Sequence, residues 1–230
     1  MMIKTLLALS ISLAFSTATG LAHAEGNIAI GETKAASCAG CHGEDGNSMV
    51  STFPKLAGQH AGYIEQQLIA FKEGTRNAPM MAPLAMGLDK GSIKDIAAYY
   101  SSKRITENQL PIIQSDDDDD DEEDESEENA AAKEQELKAL IVAGADLYRN
   151  GNLKSEVSAC IACHGPAGEG NKPASFPSLH GQHADYLIKA LTDFKKGARS
   201  NNSDNMMHMI AKKMSDEEIK AISYKISMMK

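Results

Sequence analysis

Tryptophan is absent from this chain, and Phe, Trp and Tyr together make up only 5% of it. Domains with so few large side chains have thin cores, unless something large, flat and apolar is inserted into them. Alternating β-branched runs are scarce too, which argues against a sheet and for a helical fold. The apolar run from Leu6 to Phe15 is too short to span a bilayer comfortably. Cysteine is sparse, with only 4 in the chain, and all of them fall in two short motifs.

Those motifs are Cys38-Ala-Gly-Cys41-His42 and Cys160-Ile-Ala-Cys163-His164. In Cys-x-x-Cys-His the two thiols form thioethers to the vinyl groups of one haem, and the adjacent histidine ligates its iron. Two copies predict two haem c groups, held covalently by Cys38, Cys41, Cys160 and Cys163, with His42 and His164 as iron ligands. Four thiols could instead hold one zinc, but nothing in a zinc site requires a histidine after each pair. A thioredoxin-like pair would follow a strand, and neither motif follows a β-branched run. Disulfides, which export permits, leave both histidines and the repeat unexplained.

The chain opens Met1-Met2-Ile3-Lys4, passes through the apolar run and reaches Ala22-His23-Ala24. A charged start, a short apolar run and a small-x-small site predict a signal peptide over residues 1–24, cleaved after Ala24. The formal net charge is −9, but Asp116 to Glu128 is acidic at every position except Ser126. Outside that run, Glu25–Gln114 carries 8 basic and 9 acidic residues, and Asn129–Lys230 carries 14 and 11. The second half is therefore the more basic.

The halves align. Cys38, Cys41, His42, Gly43 and Gly46 match Cys160, Cys163, His164, Gly165 and Gly168. Phe53-Pro54-Lys55-Leu56 matches Phe176-Pro177-Ser178-Leu179, and Gly58-Gln59-His60-Ala61 matches Gly181-Gln182-His183-Ala184. Tyr63, Phe71, Lys72, Gly74 and Arg76 match Tyr186, Phe194, Lys195, Gly197 and Arg199, and Met80-Met81 matches Met206-Met207. This is a duplicated domain, with units too long for a short-period solenoid. The pattern predicts helices near Ala29–Ser37, His60–Glu73 and Ser92–Lys103, then Ala130–Arg149, His183–Lys196 and Asp216–Met228. Ser215 and Glu218 have the capping-box spacing, and Gly31 and Gly144 suit close helix crossings.

The two pentapeptides, the repeated Phe-Pro-x-Leu-x-Gly-Gln, the Phe-Lys-x-Gly-x-Arg helix ends and a methionine ahead of the last helix resemble the class I cytochrome c fold. In tandem they resemble the dihaem cytochrome c4 family, over nearly all of Glu25–Lys230 except the acidic segment. The resemblance implies an all-α protein of two tandem class I cytochrome c-like domains, each wrapped around one covalently bound haem c. Domain 1 would be residues 25–114, an acidic disordered linker 115–129, and domain 2 residues 130–230. It further implies periplasmic domains in face-to-face contact, and electron transfer without substrate chemistry.

It also assigns roles. In class I cytochromes a proline carbonyl orients the ligand histidine, and Pro54 and Pro177 stand at the matching places. The repeat leaves two methionine registers for the sixth ligand, Met80 with Met206 or Met81 with Met207. The family spacing to the residue before the last helix cap selects Met81 and Met207. Arg76 and Arg199 are expected to pair with haem propionates. His60 and His183 repeat but begin helices, while His180 and His208 lack counterparts, so none is expected as a ligand.

The expected function is a periplasmic one-electron carrier from a membrane quinol–cytochrome c reductase to a terminal oxidase or similar acceptor. Peripheral association with the membrane is compatible with this role, and nucleic acid is not an expected partner. The rival readings are a haem subunit of a larger dehydrogenase and a dihaem peroxidase, which needs an open axial position. The acidic run departs from the family as a polyanion. It repels itself and buries nothing, so it reads as a solvated linker. It lacks the turn glycine and spaced ligands of a calcium loop.

Overall fold

The computed structural model describes residues 26–110, 127–201 and 203–230. The expected signal segment lies outside them, as does the acidic run up to Ser126; Glu127 and Glu128 open a helix. The first copy contains α1 (Ile28–Lys34), α2 (Ala39–His42), α3 (Ala61–Glu73), α4 (Met81–Met86) and α5 (Lys90–Ser101). The second contains α6 (Glu127–Asn150), α7 (Ile161–His164), α8 (Ala184–Lys195), α9 (Met206–Ala211) and α10 (Asp216–Ser227). Among the described residues there is no strand, only two isolated bridges that pinch loops, Asn152 with Val157 and Asn171 with Phe176.

Local chemistry sets the helix ends. The Asn27 side chain accepts from Ile30 N at 3.0 Å and starts α1. Asp89 accepts from Ser92 N at 2.7 Å, so α5 begins at Lys90, ahead of the expected Ser92. Ser215 and Glu218 form the anticipated capping box at α10, with bonds of 2.8 and 3.1 Å. The short helices α4 and α9 were not anticipated. Pro83 is tolerated in α4 because it lies in the first turn, where backbone N–H groups have no helical acceptor.

Each copy is built on a crossing of its first and last helices, α1 on α5 and α6 on α10. At both crossings a glycine is required. A Cβ on Gly31 would lie 2.0 Å from the Asp95 carbonyl oxygen, and one on Gly144 would lie 2.1 Å from that of Ala221. The backbones touch where side chains would hold them apart. Ile93, Ile96, Tyr99 and Tyr100 of α5 meet Ile64 and Leu68 of α3 in one core. Ile219, Ile222 and Ile226 of α10 meet Leu147, Tyr148 and Leu187 in the other.

The two copies meet through the repeated Phe-Pro-x-Leu-x-Gly-Gln segments. Gln182 Nε2 donates to the Lys55 carbonyl at 2.9 Å, and its Oε1 accepts from Lys55 N at 2.8 Å. Reciprocally, Gln59 Nε2 donates to the Ser178 carbonyl at 2.8 Å, and its Oε1 accepts from Ser178 N at 2.9 Å. Each side-chain amide thus completes a buried peptide of the other copy, as an isologous contact does in a twofold dimer. Asn108, beyond α5, adds bonds to the carbonyls of Gly181, Gln182 and Ser227 at 2.9, 3.1 and 3.1 Å.

Candidate haem sites

In each motif the chain makes one helical turn, α2 or α7, with the first cysteine at its N-cap. Residues three apart share a helix face, so the two thiols of each motif point the same way and the histidine follows directly. The cysteines are not joined to one another. Burial pushes the Cys38 thiol up, and the Cys160 thiol up to about 12. A thiol so held is a poor metal thiolate or redox nucleophile, and no His, Cys, Asp and Glu cluster suited to a metal ion occurs among the described residues.

Both motif histidines are buried. His42 Nδ1 lies 2.8 Å from the Pro54 carbonyl, and His164 Nδ1 lies 3.0 Å from that of Pro177. A carbonyl only accepts, so Nδ1 carries the proton and Nε2 keeps a free lone pair. Burial pulls both imidazoles below the ordinary histidine pKa, and the proline carbonyls oppose it. The result is a neutral imidazole in one tautomer, as metal coordination requires. Phe53 and Phe176 lie tilted against these rings at the same centroid distance, 6.4 Å.

Half-buried apolar side chains line the same regions. Leu56, Met81 and Leu88 pack on the first core, as Cys38 does. Leu179, Ile188, Leu191 and Ile210 pack on the second, as Cys160 does. Two aligned thiols, an imidazole with Nε2 available and an apolar lining fit a haem c in each copy. Met81 is half-buried, whereas Met80 is 62% exposed. Met206 and Met207 both begin α9 half-buried, and Met214 is a core residue.

Arg76 and Arg199 sit at the seam between the copies. Arg76 donates to Gln67 Oε1 at 2.8 Å and to Tyr186 Oη at 3.2 Å. Arg199 is buried, donating to Tyr63 Oη at 2.8 Å and Gln67 Oε1 at 3.1 Å. Each guanidinium also lies over a phenylalanine of its own copy, Phe71 or Phe194. Burial would raise the Tyr186 phenol, but Arg76 and Arg199 outweigh it and bring it down to about 8. His183 Nε2 lies 2.9 Å from the Ser48 carbonyl across the seam. His60 is buried beside the second copy, where burial, then Lys172, pulls its pKa down. His180 and His208 are engaged locally, with Ser178 Oγ at 3.0 Å and the Phe194 carbonyl at 2.7 Å.

Sequence reasoning passed over Gln59, Gln182, Tyr63 and Tyr186 as functional residues. All four were visible as repeated positions, but a repeat does not say that its side chain serves the other copy.

Two similar all-helical domains, each presenting two aligned thiols and an oriented neutral imidazole, define a tandem c-type cytochrome. The cytochrome c family profile matches residues 28–104 and 141–224. The chain is 41% identical over 215 residues to cytochrome c4 of Azotobacter vinelandii, covering 89% of this chain and 90% of that one. It is 35% identical over 190 residues to a thiosulfate dehydrogenase electron acceptor of Stutzerimonas stutzeri, covering 82% and 77%. Its fold matches the crystal structure of reduced cytochrome c4 from Pseudomonas stutzeri with a TM-score of 0.75 at 35% identity, covering 89% of this chain and 100% of that one. The chain belongs to the cytochrome c family, in its dihaem cytochrome c4 branch, with two haem c groups as cofactors.

Proposed function

We propose that this protein is a periplasmic one-electron carrier that takes electrons from a membrane quinol–cytochrome c reductase and delivers them to a terminal oxidase or similar acceptor. The observation that carries the reading is the same histidine–proline carbonyl contact in both copies, 2.8 and 3.0 Å, in two domains docked face to face. Haem supplies a one-electron iron couple. The protein holds it: Cys38 and Cys41, and Cys160 and Cys163, fix each group covalently. His42 and His164 would ligate the iron through Nε2, oriented by the Pro54 and Pro177 carbonyls, and Met81 and Met207 would supply the thioether ligands at the sixth positions. With both positions closed, peroxidase turnover is not expected.

A second reading has one specific support, the likeness to a thiosulfate dehydrogenase electron acceptor. In that case the electron donor is a dehydrogenase, and the chain's role as a carrier is unchanged.

The signal peptide over residues 1–24, a first domain over 25–114 and a solvated acidic linker from 115 belong to this proposal; α6 moves the expected linker end and second-domain start from 129/130 back to Glu127. Twelve carboxylates between Asp116 and Glu128 would act on a basic partner by long-range steering, which salt suppresses. Mass spectrometry of the denatured mature protein tests the attachment reading: the mass of the chain from Glu25 plus two haems is expected. A bare chain, or one haem, refutes it. Stopped-flow mixing of the oxidised protein with reduced quinol–cytochrome c reductase, and separately with thiosulfate dehydrogenase and thiosulfate, separates the two donor readings.

A further inference from the structure

The two copies differ in charge at one buried position of their most similar segment. The residue after the histidine-orienting proline is Lys55 in the first copy and Ser178 in the second. Both are buried, at 4% and 9% exposure. The facing glutamines hold both through backbone N–H and C=O alone. The glutamine contacts therefore use the peptide and not the lysine side chain.

That side chain goes elsewhere. Lys55 Nζ donates to the Thr106 carbonyl at 2.7 Å and to Thr106 Oγ1 at 3.3 Å. Thr106 is itself fixed by Asn47 Oδ1, which accepts from its N at 2.8 Å and its Oγ1 at 3.1 Å. Asn47 in turn donates from Nδ2 to Asp45 Oδ2 at 2.8 Å. The ammonium's direct partners are thus a carbonyl and a hydroxyl, and it has no ion pair among the described residues. Asp45, exposed and at the end of this chain of contacts, offsets only part of the burial that pulls Lys55 below its ordinary pKa. The Lys55 backbone, from which this side chain extends, directly follows the Pro54 carbonyl, which lies 2.8 Å from His42 Nδ1.

We propose that Lys55 is an electrostatic tuning residue that raises the reduction potential of the first haem relative to the second. The inference rests on the reading of His42 and His164 as haem ligands. Reduction lowers the charge on iron by one, so a fixed positive charge nearby favours the reduced state. A buried charge without a carboxylate partner is screened far less than surface charges are. The more basic surface of the second half acts in the opposite sense, but through solvent. Lys55 therefore biases the electron of the half-reduced protein toward the first domain.

The test is spectroelectrochemistry of the full dihaem protein and of Lys55→Met, Lys55→Arg and Ser178→Lys, with haem count and solution scattering on each. Lys55→Met should lower one midpoint only, by about tenfold in its reduction equilibrium, or 59 mV for one electron. Lys55→Arg should restore it, and Ser178→Lys should raise the other midpoint. With two haems bound and scattering unchanged, two unmoved midpoints or two moved equally in Lys55→Met overturn the proposal. If Lys55→Met fails to fold, an unmoved second midpoint in Ser178→Lys overturns it. Fewer than two haems in the unmodified protein instead overturns the ligand reading beneath it.

Discussion

Met80 and Met81 are neighbours in sequence with the same donor atom, yet their surroundings differ. Met80 stands at the N-cap of α4 with its side chain 62% exposed. Met81 packs against the first core in company with Cys38 and Leu56. A thioether packed on the same core as Cys38 is available to a group held there, and one in solvent is not. The repeat carries the assignment to Met207, since Met206 and Met207 are alike in burial. Thioether sulfur is soft and neutral and favours ferrous iron. Met81→Ala and Met207→Ala should each make one iron high-spin and lower its midpoint by at least about 59 mV, a tenfold change in equilibrium, with the other haem unaffected. Met80→Ala should change neither spectrum nor potential. Optical spectra and redox titration of the three variants check this, and a high-spin Met80→Ala would move the register by one.

Among the elements, what could be read from the sequence was what is encoded locally. Gly31 and Gly144 announced the α1–α5 and α6–α10 crossings because a missing side chain is itself the signal for backbone contact. The capping box at Ser215 was legible because both of its partners lie within four residues; the motif turns α2 and α7 were not among the expected helices. Helices α4 and α9 escaped because each is a short turn stabilised by the packing of Met81 or Ile210 on a core that periodicity cannot show. Arg76 and Arg199 were visible as repeated helix-end cations. Their phenol partners, Tyr186 and Tyr63, lie 110 and 136 residues away in the other copy. The crossings also yield a stability prediction. Gly31→Ala or Gly144→Ala puts a methyl within about 2 Å of a backbone oxygen, so α1 or α6 must shift. Overpacking of this kind costs about 1–3 kcal/mol, and for a domain of this size each kcal/mol lowers Tm by about 4–8 °C. Calorimetry should show that loss in one domain's transition only. An unchanged Tm would mean that the crossing relaxes freely.

For the whole molecule, the duplicated domain has become an internal dimer whose two subunits are one chain. The Gln59 and Gln182 amides are reciprocal, but the positions they grip are Ser178 and Lys55, so the symmetry of the contact survives an asymmetry of charge. The glutamine contacts grip backbone and so leave the side chains at positions 55 and 178 free to diverge. Replacing both glutamines by Ala removes the four hydrogen bonds across the seam, together with each amide's bond to the N–H of His60 or His183, and strands the buried N–H and C=O groups of Lys55 and Ser178. Each stranded group costs about 1–3 kcal/mol unless water reaches it. Interfaces between domains of one chain are marginal by nature, so the double variant should dock weakly. Its radius of gyration should rise in solution scattering, and electron exchange between the haems should slow by an order of magnitude or more. Both haems should still be attached, each with its histidine and methionine, because the glutamines touch neither ligand set. If scattering and exchange are unchanged in Gln59→Ala/Gln182→Ala, the Arg76–Tyr186 and Arg199–Tyr63 contacts hold the domains together, and the glutamine amides only complete a surface already closed.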